Sequence, residues 1–411
     1  MRITIPFLFW AVVALMSFTD VYAQRERAEE WLIRGNNLAH NLQFQKAVNA
    51  YSQAITLDPE YAEAYFKRAK ALIRVGRSGE ALEDYDRAYA LNPDIEYLHS
   101  QRARARMLQQ DYKGALQDLE NAIKEHPQDK VLLALHAQAN EEEGNFEAAI
   151  EDCNQIISND PADTLAYLKR ALLNVQQNSP EAAQEDVRQA RQLCQSSPVV
   201  YQIQGLVHHI NEDYAQALHA YNRAIALYPD FALAYFGRGV TLRAMGRIEE
   251  ASADLDTAIA INHNMSYAYY NRALNRKDMG NAEGAVSDYS EAIRLNDDFP
   301  EAYFNRGLAL KRLGDYQGAR RDLESALQLK PGDPELHNSR GNLHVLFEEY
   351  DKAIQAYTTA INRRDNYAEA YHNRGLAYLM SYRMEKGCRD LYQSAALGYE
   401  ASRERLRHFC E

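Results

Sequence analysis

Apolar and polar residues alternate along this chain with a helical period that stops and restarts at fixed intervals. Between Pro300 and Pro331, two segments with apolar residues three and four apart flank a short turn at Gly314. The spacing predicts a pair of amphipathic helices, with the small residues Gly307 and Ala319 where the helices cross. Pro331 then closes the unit, because its ring cannot continue a helix.

The same unit recurs every 34 residues. With Pro300 as position 1, position 20 is alanine in ten successive units, from Ala47 to Ala353. Position 8 is always glycine or alanine, and positions 4 and 24 are mostly large and apolar. This register predicts an all-α solenoid whose units share one continuous core. The predicted repeats span residues 28–61, 62–95, 96–129, 130–163, 164–197, 198–231, 232–265, 266–299, 300–333, 334–367 and 368–401.

These columns resemble the signature positions of the tetratricopeptide repeat over eleven consecutive units. The resemblance implies antiparallel helix pairs that stack into a right-handed superhelix, with the first helix of each pair lining the inner surface. It also implies a protein or peptide partner, contacted from positions 2, 5, 9, 12 and 13. After the last repeat, a short polar helix at residues 402–411 is expected to cap the exposed apolar face.

The expected groove combines apolar side chains with basic edges. Position 5 is not needed by the packing columns, so its side chains are free to meet an extended segment with hydrophobic anchors and acidic residues. An alternative stays open, in which the rings pack against adjacent first helices. The candidate ligand-contacting residues are Phe66, Leu168, Phe236, Arg243, Tyr270, Lys277, Phe304, Lys311, Arg312 and His372, with the basic residues Lys70 and Arg104 further along the first helices of their repeats.

Two charged columns run through the repeats. Position 7 is arginine in nine repeats and position 23 is aspartate in eight. An ion pair within each repeat explains both columns, and the sixth repeat supports it, since Gln204 and Ala220 replace both members there. The alternative is an anion-binding stripe. It stays open because Arg34 and Arg340 face alanines instead of aspartates.

No catalytic or cofactor-binding motif is found. The chain lacks a phosphate-binding glycine-lysine loop, H-E-x-x-H, G-x-S-x-G and C-x-x-C. His337 and His344 share a helix face, but they occupy core columns, so packed histidines are expected there instead of a metal site. The repeats leave no stretch for a catalytic domain, so no enzyme activity, cofactor or metal is expected. A net charge of −12 with mixed signs argues against a nucleic-acid partner.

The four cysteines divide into two pairs. Cys388 and Cys410 lie on either side of the last turn, and a cap that folds back antiparallel brings them together as a disulfide. Cys153 and Cys194 occupy positions 24 and 31 of neighbouring second helices. That offset corresponds to about 10 Å of helix rise, beyond the roughly 7 Å limit for a disulfide. These two are therefore expected to be buried thiols.

Residues 1–23 do not follow the repeat. An apolar run from Ile3 to Phe18 follows a basic residue, and Val21 and Ala23 supply the small residues of a secretory cleavage site. The alternative is an uncleaved membrane anchor, but the run is shorter than the roughly 20 residues of a span and contains Pro6. We expect a signal peptide, a periplasmic or secreted protein, and no stable membrane insertion.

Two functions stay open at this stage. The first is a non-catalytic scaffold of the cell envelope or secretory space that binds a peptide or protein segment in its groove. The second is an accessory subunit of an envelope enzyme or assembly complex, held through outer or terminal surfaces.

We predict that the mature protein begins at Gln24, since cleavage follows the small residue Ala23. N-terminal sequencing of the protein recovered outside the cytoplasm is expected to read from Gln24. An exported product that still carries Met1 would reverse the expectation.

Overall fold

A computed structural model describes the backbone of residues 5–410 and the side chains of residues 23–410. Within residues 5–410 there are 23 α-helices and no strand, and each helix packs against the helix that follows it within the same unit. The predicted all-α fold of paired helices is confirmed. The chain divides into two compact units, Met1–Gln195 and Ser196–Glu411.

The first unit contains five helix pairs. Its helices are α1 (Ile5–His40), α2 (Phe44–Leu57), α3 (Ala62–Arg74), α4 (Ser78–Leu91), α5 (Leu98–Leu108), α6 (Tyr112–Glu125), α7 (Lys130–Glu142), α8 (Phe146–Asn159), α9 (Thr164–Gln176) and α10 (Pro180–Leu193). The predicted signal peptide falls on α1, which runs without a break into the first repeat. The side chains of residues 1–22 lie outside the described residues, so cleavage stays a prediction. Among the helices that the structure describes, none has the length and apolarity needed to cross a bilayer.

The second unit contains six helix pairs and a final single helix. Its helices are α11 (Pro198–Ile210), α12 (Tyr214–Leu227), α13 (Ala232–Ala244), α14 (Ile248–Ile261), α15 (Ser266–Asp278), α16 (Ala282–Leu295), α17 (Pro300–Arg312), α18 (Tyr316–Leu329), α19 (Pro334–Leu346), α20 (Tyr350–Arg363), α21 (Ala368–Met380), α22 (Met384–Ala396) and α23 (Glu400–Phe409). In both units the odd-numbered helices up to α21 are the first helices of their repeats, and the even-numbered ones are the second helices.

Small residues set the distance between the two helices of a pair. The alanines of position 20 are fully or almost fully buried wherever they occur. Position 8 faces position 24 of the second helix across this contact. A Cβ added at Gly35 would lie 2.4 Å from the ring of Tyr51, so the tyrosine fits only against glycine there. The small and large columns of the sequence are therefore the two sides of one packing contact.

The turn between the paired helices has one backbone conformation in all eleven repeats. The residue at position 15 adopts a positive φ whether it is glycine, as at Gly314, or a larger residue, as at Asn178. The fifth repeat, with its unusual Ser179-Pro180 sequence, keeps this conformation, and Pro180 begins α10. The positive-φ residues at position 15 are Leu42, Gly76, Gln110, Gly144, Asn178, Glu212, Gly246, Gly280, Gly314, Glu348 and Tyr382.

The arginine of position 7 forms the expected ion pair with the aspartate of position 23. In the eighth repeat, Arg272 donates Nη2–H to Asp288 Oδ1 at 2.6 Å and Nε–H to Oδ2 at 2.8 Å. Its Nη1 also donates to Asp256 Oδ1 at 2.6 Å, on the second helix of the preceding repeat. One guanidinium thus connects three helices. The same pairs are Arg68–Asp84, Arg102–Asp118, Arg170–Asp186, Arg238–Asp254, Arg306–Asp322 and Arg374–Asp390.

In repeats that lack the arginine–aspartate pair, the remaining charged residue has another partner within the protein. In the fourth repeat, His136 stands at position 7, and its Nδ1 lies 2.8 Å from Asp152 Oδ2. Arg34 lies over the ring of Trp31 at 4.8 Å, and Arg340 donates to His337 Nδ1 at 3.1 Å. The arginine column therefore faces the protein's own groups, which favours the ion-pair explanation over an anion-binding stripe.

Burial acts to lower the pKa of Arg272, but hydrogen bonds to Asp288 and Asp256 outweigh it and raise the pKa above its ordinary value. The arginine therefore stays charged at every pH at which the protein is folded. Asp288 is 2 % exposed, so loss of its arginine partner would leave a carboxylate buried without full compensation.

The last helix closes the array. α23 packs back on α22, and Cys388 and Cys410 are joined by a disulfide with an S–S distance of 2.01 Å. The buried Ser402 of α23 donates to Ser394 Oγ of α22 at 2.7 Å. Of the two free cysteines, Cys153 is buried as expected, whereas Cys194 is only half-buried because it caps the end of α10.

We predict that Arg272 and Asp288 stabilise the fold cooperatively. A double-mutant cycle with Arg272→Ala and Asp288→Ala should give a coupling energy of about 0.5–3 kcal/mol, measured by denaturant unfolding. The matched control is the exposed pair Arg294–Glu291, also at 2.8 Å, where about 0.2–1 kcal/mol is expected. A coupling at Arg272–Asp288 no larger than that of the control would contradict the packing role of this pair.

Candidate binding surface on the first helices

The structure buries two predicted groove residues of the first unit, Phe66 and Leu168. The ring of Phe66 lies 5.9 Å from that of Tyr85 on α4, between centroids, inside the hydrophobic cluster of the first three repeats. Position 5 faces the second helix of its own repeat. Phe66 and Leu168 are therefore used for packing, and the expectation that position 5 is free of packing contacts is wrong for these two residues. Neither side chain is available to a ligand.

His372 of the second unit is buried for a different reason. Its Nδ1 lies 2.8 Å from Ser402 Oγ, and its ring centroid lies 5.0 Å from that of Tyr399. Burial lowers the pKa of His372, with a smaller contribution from the positive charge of Arg405. This residue therefore belongs to the contact between α21 and the C-terminal cap, and the expectation of an open groove position does not hold here either.

The three aromatic residues of repeats seven to nine are half-buried. Phe236 packs against Leu255 and Ile259 of α14. The ring of Tyr270 lies 4.8 Å from that of Phe299, between centroids. Phe304 packs against the cluster formed by α18 and α19. These contacts support the packing explanation for the rings, while contact with a ligand stays a prediction.

The basic residues beside these rings are partly engaged between repeats. Arg243 donates Nη1–H to Asn275 Oδ1 at 2.7 Å and pairs through Nη2 with Asp278 at 2.8 Å. Lys277 donates to Asn305 Oδ1 at 3.5 Å. Lys311 and Arg312 make no ion pair with any residue that the structure describes. Of these four cations, Lys277, Lys311 and Arg312 have no carboxylate partner among the residues that the structure describes.

A cleft that the sequence reasoning did not single out lies between α1, α3 and α5, with a volume of about 600 Å³. We call it the basic cleft. Its cations are Lys67, Lys70 and Arg74 of α3 and Arg104 of α5, and its other polar groups come from Asn36, Tyr51, Tyr85 and Gln101. Lys70 and Arg104 occupy position 9 of successive repeats, which is the signal that the sequence contained.

Most cations of the basic cleft have no carboxylate partner. Lys67 lies 3.8 Å from Glu63, but Lys70, Arg74 and Arg104 make no ion pair with any residue between 23 and 410. Burial lowers the pKa of Lys70, and the neighbouring charge of Lys67 lowers it further. Like charges held this close repel each other, so an anion that enters the cleft relieves both the repulsion and the desolvation.

The floor of the basic cleft is rigid. Tyr51 O–H donates to Asn36 Oδ1 at 2.8 Å, and burial raises the pKa of Tyr51 to about 12, so the phenol stays protonated. The guanidinium of Arg74 lies over the ring of Phe44 at 5.2 Å. These contacts position the Tyr51 hydroxyl and the Arg74 guanidinium at the cleft.

A second cleft of the first unit lies between α7 and α9, with a volume of about 450 Å³. We call it the apolar cleft. Its walls and floor are formed chiefly by Val131, Ala134, Leu135, Cys153, Ile156 and Leu165. Burial raises the pKa of the Cys153 thiol to about 12, so the sulfur at the floor is protonated and unreactive at neutral pH.

Among the residues that the structure describes, no group of three or more histidine, cysteine or acidic side chains is placed to hold a metal ion. His344 Nδ1 lies 2.6 Å from Glu349, which also pairs with Arg320 and Lys352. This cluster joins α18, α19 and α20, and its partners are structural.

Sequence profiles of one repeat family match much of the chain. Profiles described as "TPR repeat" match residues 43–76, 205–246, 275–314 and 348–381. Profiles described as "Tetratricopeptide repeat" match residues 62–95, 300–333, 106–173 and 232–264. A comparison with curated protein sequences gives no significant match.

Solved structures of tetratricopeptide repeat proteins are similar to this chain. One from Parabacteroides merdae has 19% sequence identity, covers 61% of this chain and 98% of its own, and superposes with a TM-score of 0.55. YrrB, described as a TPR protein with an unusual peptide-binding site, has 20% sequence identity and a TM-score of 0.41. The match covers 44% of this chain and 94% of YrrB. A chain of the Cut9–Hcn1 assembly has 14% sequence identity and a TM-score of 0.45. The match covers 94% of this chain and 96% of that one. The first of these likenesses shows a shared fold.

We predict that the half-buried rings contribute to stability. Changing Phe236, Tyr270 and Phe304 together to alanine should lower the melting temperature by several degrees, because each truncation removes packing worth about 1–3 kcal/mol. Thermal unfolding followed by circular dichroism provides the measurement. The control is Tyr392→Ala, at an exposed position of α22. If the triple variant has the same melting temperature as the control, the rings do not stabilise the fold, and the prediction that they contact a ligand is favoured instead.

Proposed function

Tetratricopeptide repeats make up this chain, and from that premise we propose that it is a non-catalytic scaffold that binds an extended segment of a partner protein. The first helices of the first unit supply the binding surface. The observation that carries the proposal is the basic cleft, whose cations Lys70, Arg74 and Arg104 lack carboxylate partners among the described residues.

The chemistry of the basic cleft favours an acidic segment. In most repeats the arginine of position 7 is paired with an aspartate, and the net charge of the chain is −12. A local excess of positive charge on such a protein stands out, and it would attract carboxylates both at long range and in contact. Asn36 and Gln101 add polar groups that can hydrogen-bond to a peptide backbone.

We also propose that the scaffold acts in the cell envelope or the secretory space. The proposal rests on the signal-like pattern of residues 1–23. The Cys388–Cys410 disulfide supports it, because such bonds persist in oxidising compartments.

A second candidate is an accessory subunit held through another face. An exposed apolar row on the second unit favours it, formed by Met245, Met279 and Leu313 at position 14 of repeats seven to nine. These side chains follow the turn edge of the helix pairs, away from the first-helix surface. Exposed apolar residues in a row are typical of protein contact surfaces.

We predict that charge reversal in the basic cleft weakens partner binding. Crosslinking in the protein's own cells identifies the partner segment, and titration with that segment then measures affinity. Lys70→Glu with Arg104→Glu should lower the affinity by about tenfold or more, because the cleft would then repel carboxylates. The wild-type affinity should also fall as salt is raised.

The matched control reverses two exposed charges on the second helices of the same repeats, Arg87→Glu and Lys113→Glu. It changes the net charge equally and should leave the affinity almost unchanged. Full binding by the Lys70 and Arg104 variant, together with loss on changing Met245, Met279 and Leu313 to serine, would replace the proposal with the accessory-subunit candidate.

A further inference from the structure

We propose that the apolar cleft between α7 and α9 receives one large apolar side chain, such as leucine, methionine or phenylalanine, from the segment that binds the first helices. The inference rests on the proposed function, and it assigns a separate site in the fourth repeat. In six other repeats of the same chain, a large side chain at position 5 occupies the equivalent space.

Position 5 supplies a large apolar side chain that packs between helices in six of the eleven repeats, whereas the third, sixth and tenth repeats carry Ser100, Gln202 and Asn338 there. Phe236 packs against Leu255 and Ile259 of its own second helix and against the next first helix. Phe304 does the same in the ninth repeat, against Leu323 and Leu327. The large residues at this position, all buried or half-buried, are Leu32, Phe66, Leu168, Phe236, Tyr270 and Phe304.

The fourth repeat lacks both large side chains that meet at this point. Position 5 is Ala134, and position 24, usually tyrosine or leucine, is Cys153. The cleft opens over that cysteine and over Ile156 of α8, with Ala166 of the next first helix at its side. Cys153 and Ala166 occupy the positions of Leu255 and Ala268, which belong to the cluster that Phe236 packs against. Ile156 stands at position 27, where the other repeats carry alanine or serine, so its side chain takes up part of this space. The remainder is left open to solvent as the apolar cleft.

The lining of the apolar cleft fits an uncharged occupant. Leu165 is 73 % exposed and Val131 is 47 % exposed, so apolar surface stands in water at its mouth. The charges at the rim are paired: Lys130 lies 3.0 Å from Asp163, and Lys169 pairs with Glu141. A charged side chain would find no free partner there, whereas an apolar one would remove both residues from water.

The two clefts of the first unit define one kind of segment. The basic cleft involves the first helices of repeats one to three, and the apolar cleft involves those of repeats four and five. A segment with acidic residues followed or preceded by a hydrophobic anchor complements both. The apolar cleft, at about 450 Å³, has the size of an ordinary ligand pocket.

The test introduces a larger side chain at position 134, so that the protein itself occupies the apolar cleft. A random dodecapeptide library displayed on phage is selected against the full chain, and the selected peptides are titrated by fluorescence anisotropy. Peptides with one leucine, methionine or aromatic anchor should be enriched. Ala134→Leu should lower their affinity by about tenfold or more without lowering the melting temperature, because leucine fits the equivalent position at Leu168.

The matched control is Ala148→Leu, which adds the same atoms at an exposed position of α8 outside the cleft. If Ala134→Leu melts early, Ala134→Met replaces it, since the flexible methionine chain adapts to irregular space. Replacing the peptide's anchor with alanine should weaken binding to the wild type but not to the filled variant. Such non-additivity shows that the anchor and the new side chain occupy one space.

Peptides that bind the filled variant as tightly as the wild type would overturn the inference. If those peptides are acidic and depend on Lys70 and Arg104, the proposed function stands and only the apolar cleft is refuted. If the library yields no peptide that binds the wild type, both are refuted.

Discussion

Each repeat depends on the close contact of its two helices at small residues. Alanine at position 20 is buried throughout, and the glycine or alanine at position 8 leaves room for the large residue at position 24. A helix pair of this size cannot bury its remaining apolar face alone, so it must stack on its neighbours. The arginine of position 7 fixes that stacking, because it bonds to its own repeat and to the preceding second helix at once.

The two candidate clefts lie where the sequence departs from this regular packing. The arginine of position 7 is paired with an aspartate in most repeats, whereas Lys70, Arg74 and Arg104 of the basic cleft have no carboxylate partner among the described residues. Large side chains of the template close the space between helices, but the fourth repeat has Ala134 and Cys153 in their places. Both exceptions lie in the first unit, on the first helices α3, α5 and α7 and, for Cys153, on the second helix α8. We propose that the binding surface forms where the repeat leaves its own groups unsatisfied.

Much of the fold could be predicted from the sequence, because the helix period, the small columns and the paired charges each depend on residues within one repeat. The groove residues could not. Whether position 5 is free depends on how it packs against the second helix of its own repeat, as at Phe66, and, for His372, against the cap. The conformation of the turn could also not be predicted in every repeat. Gly314 indicates a positive φ, but Asn178 and Tyr382 adopt a positive φ at the same position without being glycine. The apolar cleft reflects two small residues 19 positions apart, Ala134 and Cys153, whose joint effect appears only when the helices are packed.

The most direct test of this account is a crystal structure of the full chain with a selected peptide bound. The account predicts that acidic side chains of the peptide lie within hydrogen-bonding distance of Lys70 and Arg104, and that its apolar anchor lies over Ala134. A peptide bound instead to the second helices, or to the turn edge at Met245 and Met279, would contradict the claim that departures from the packing template form the binding surface.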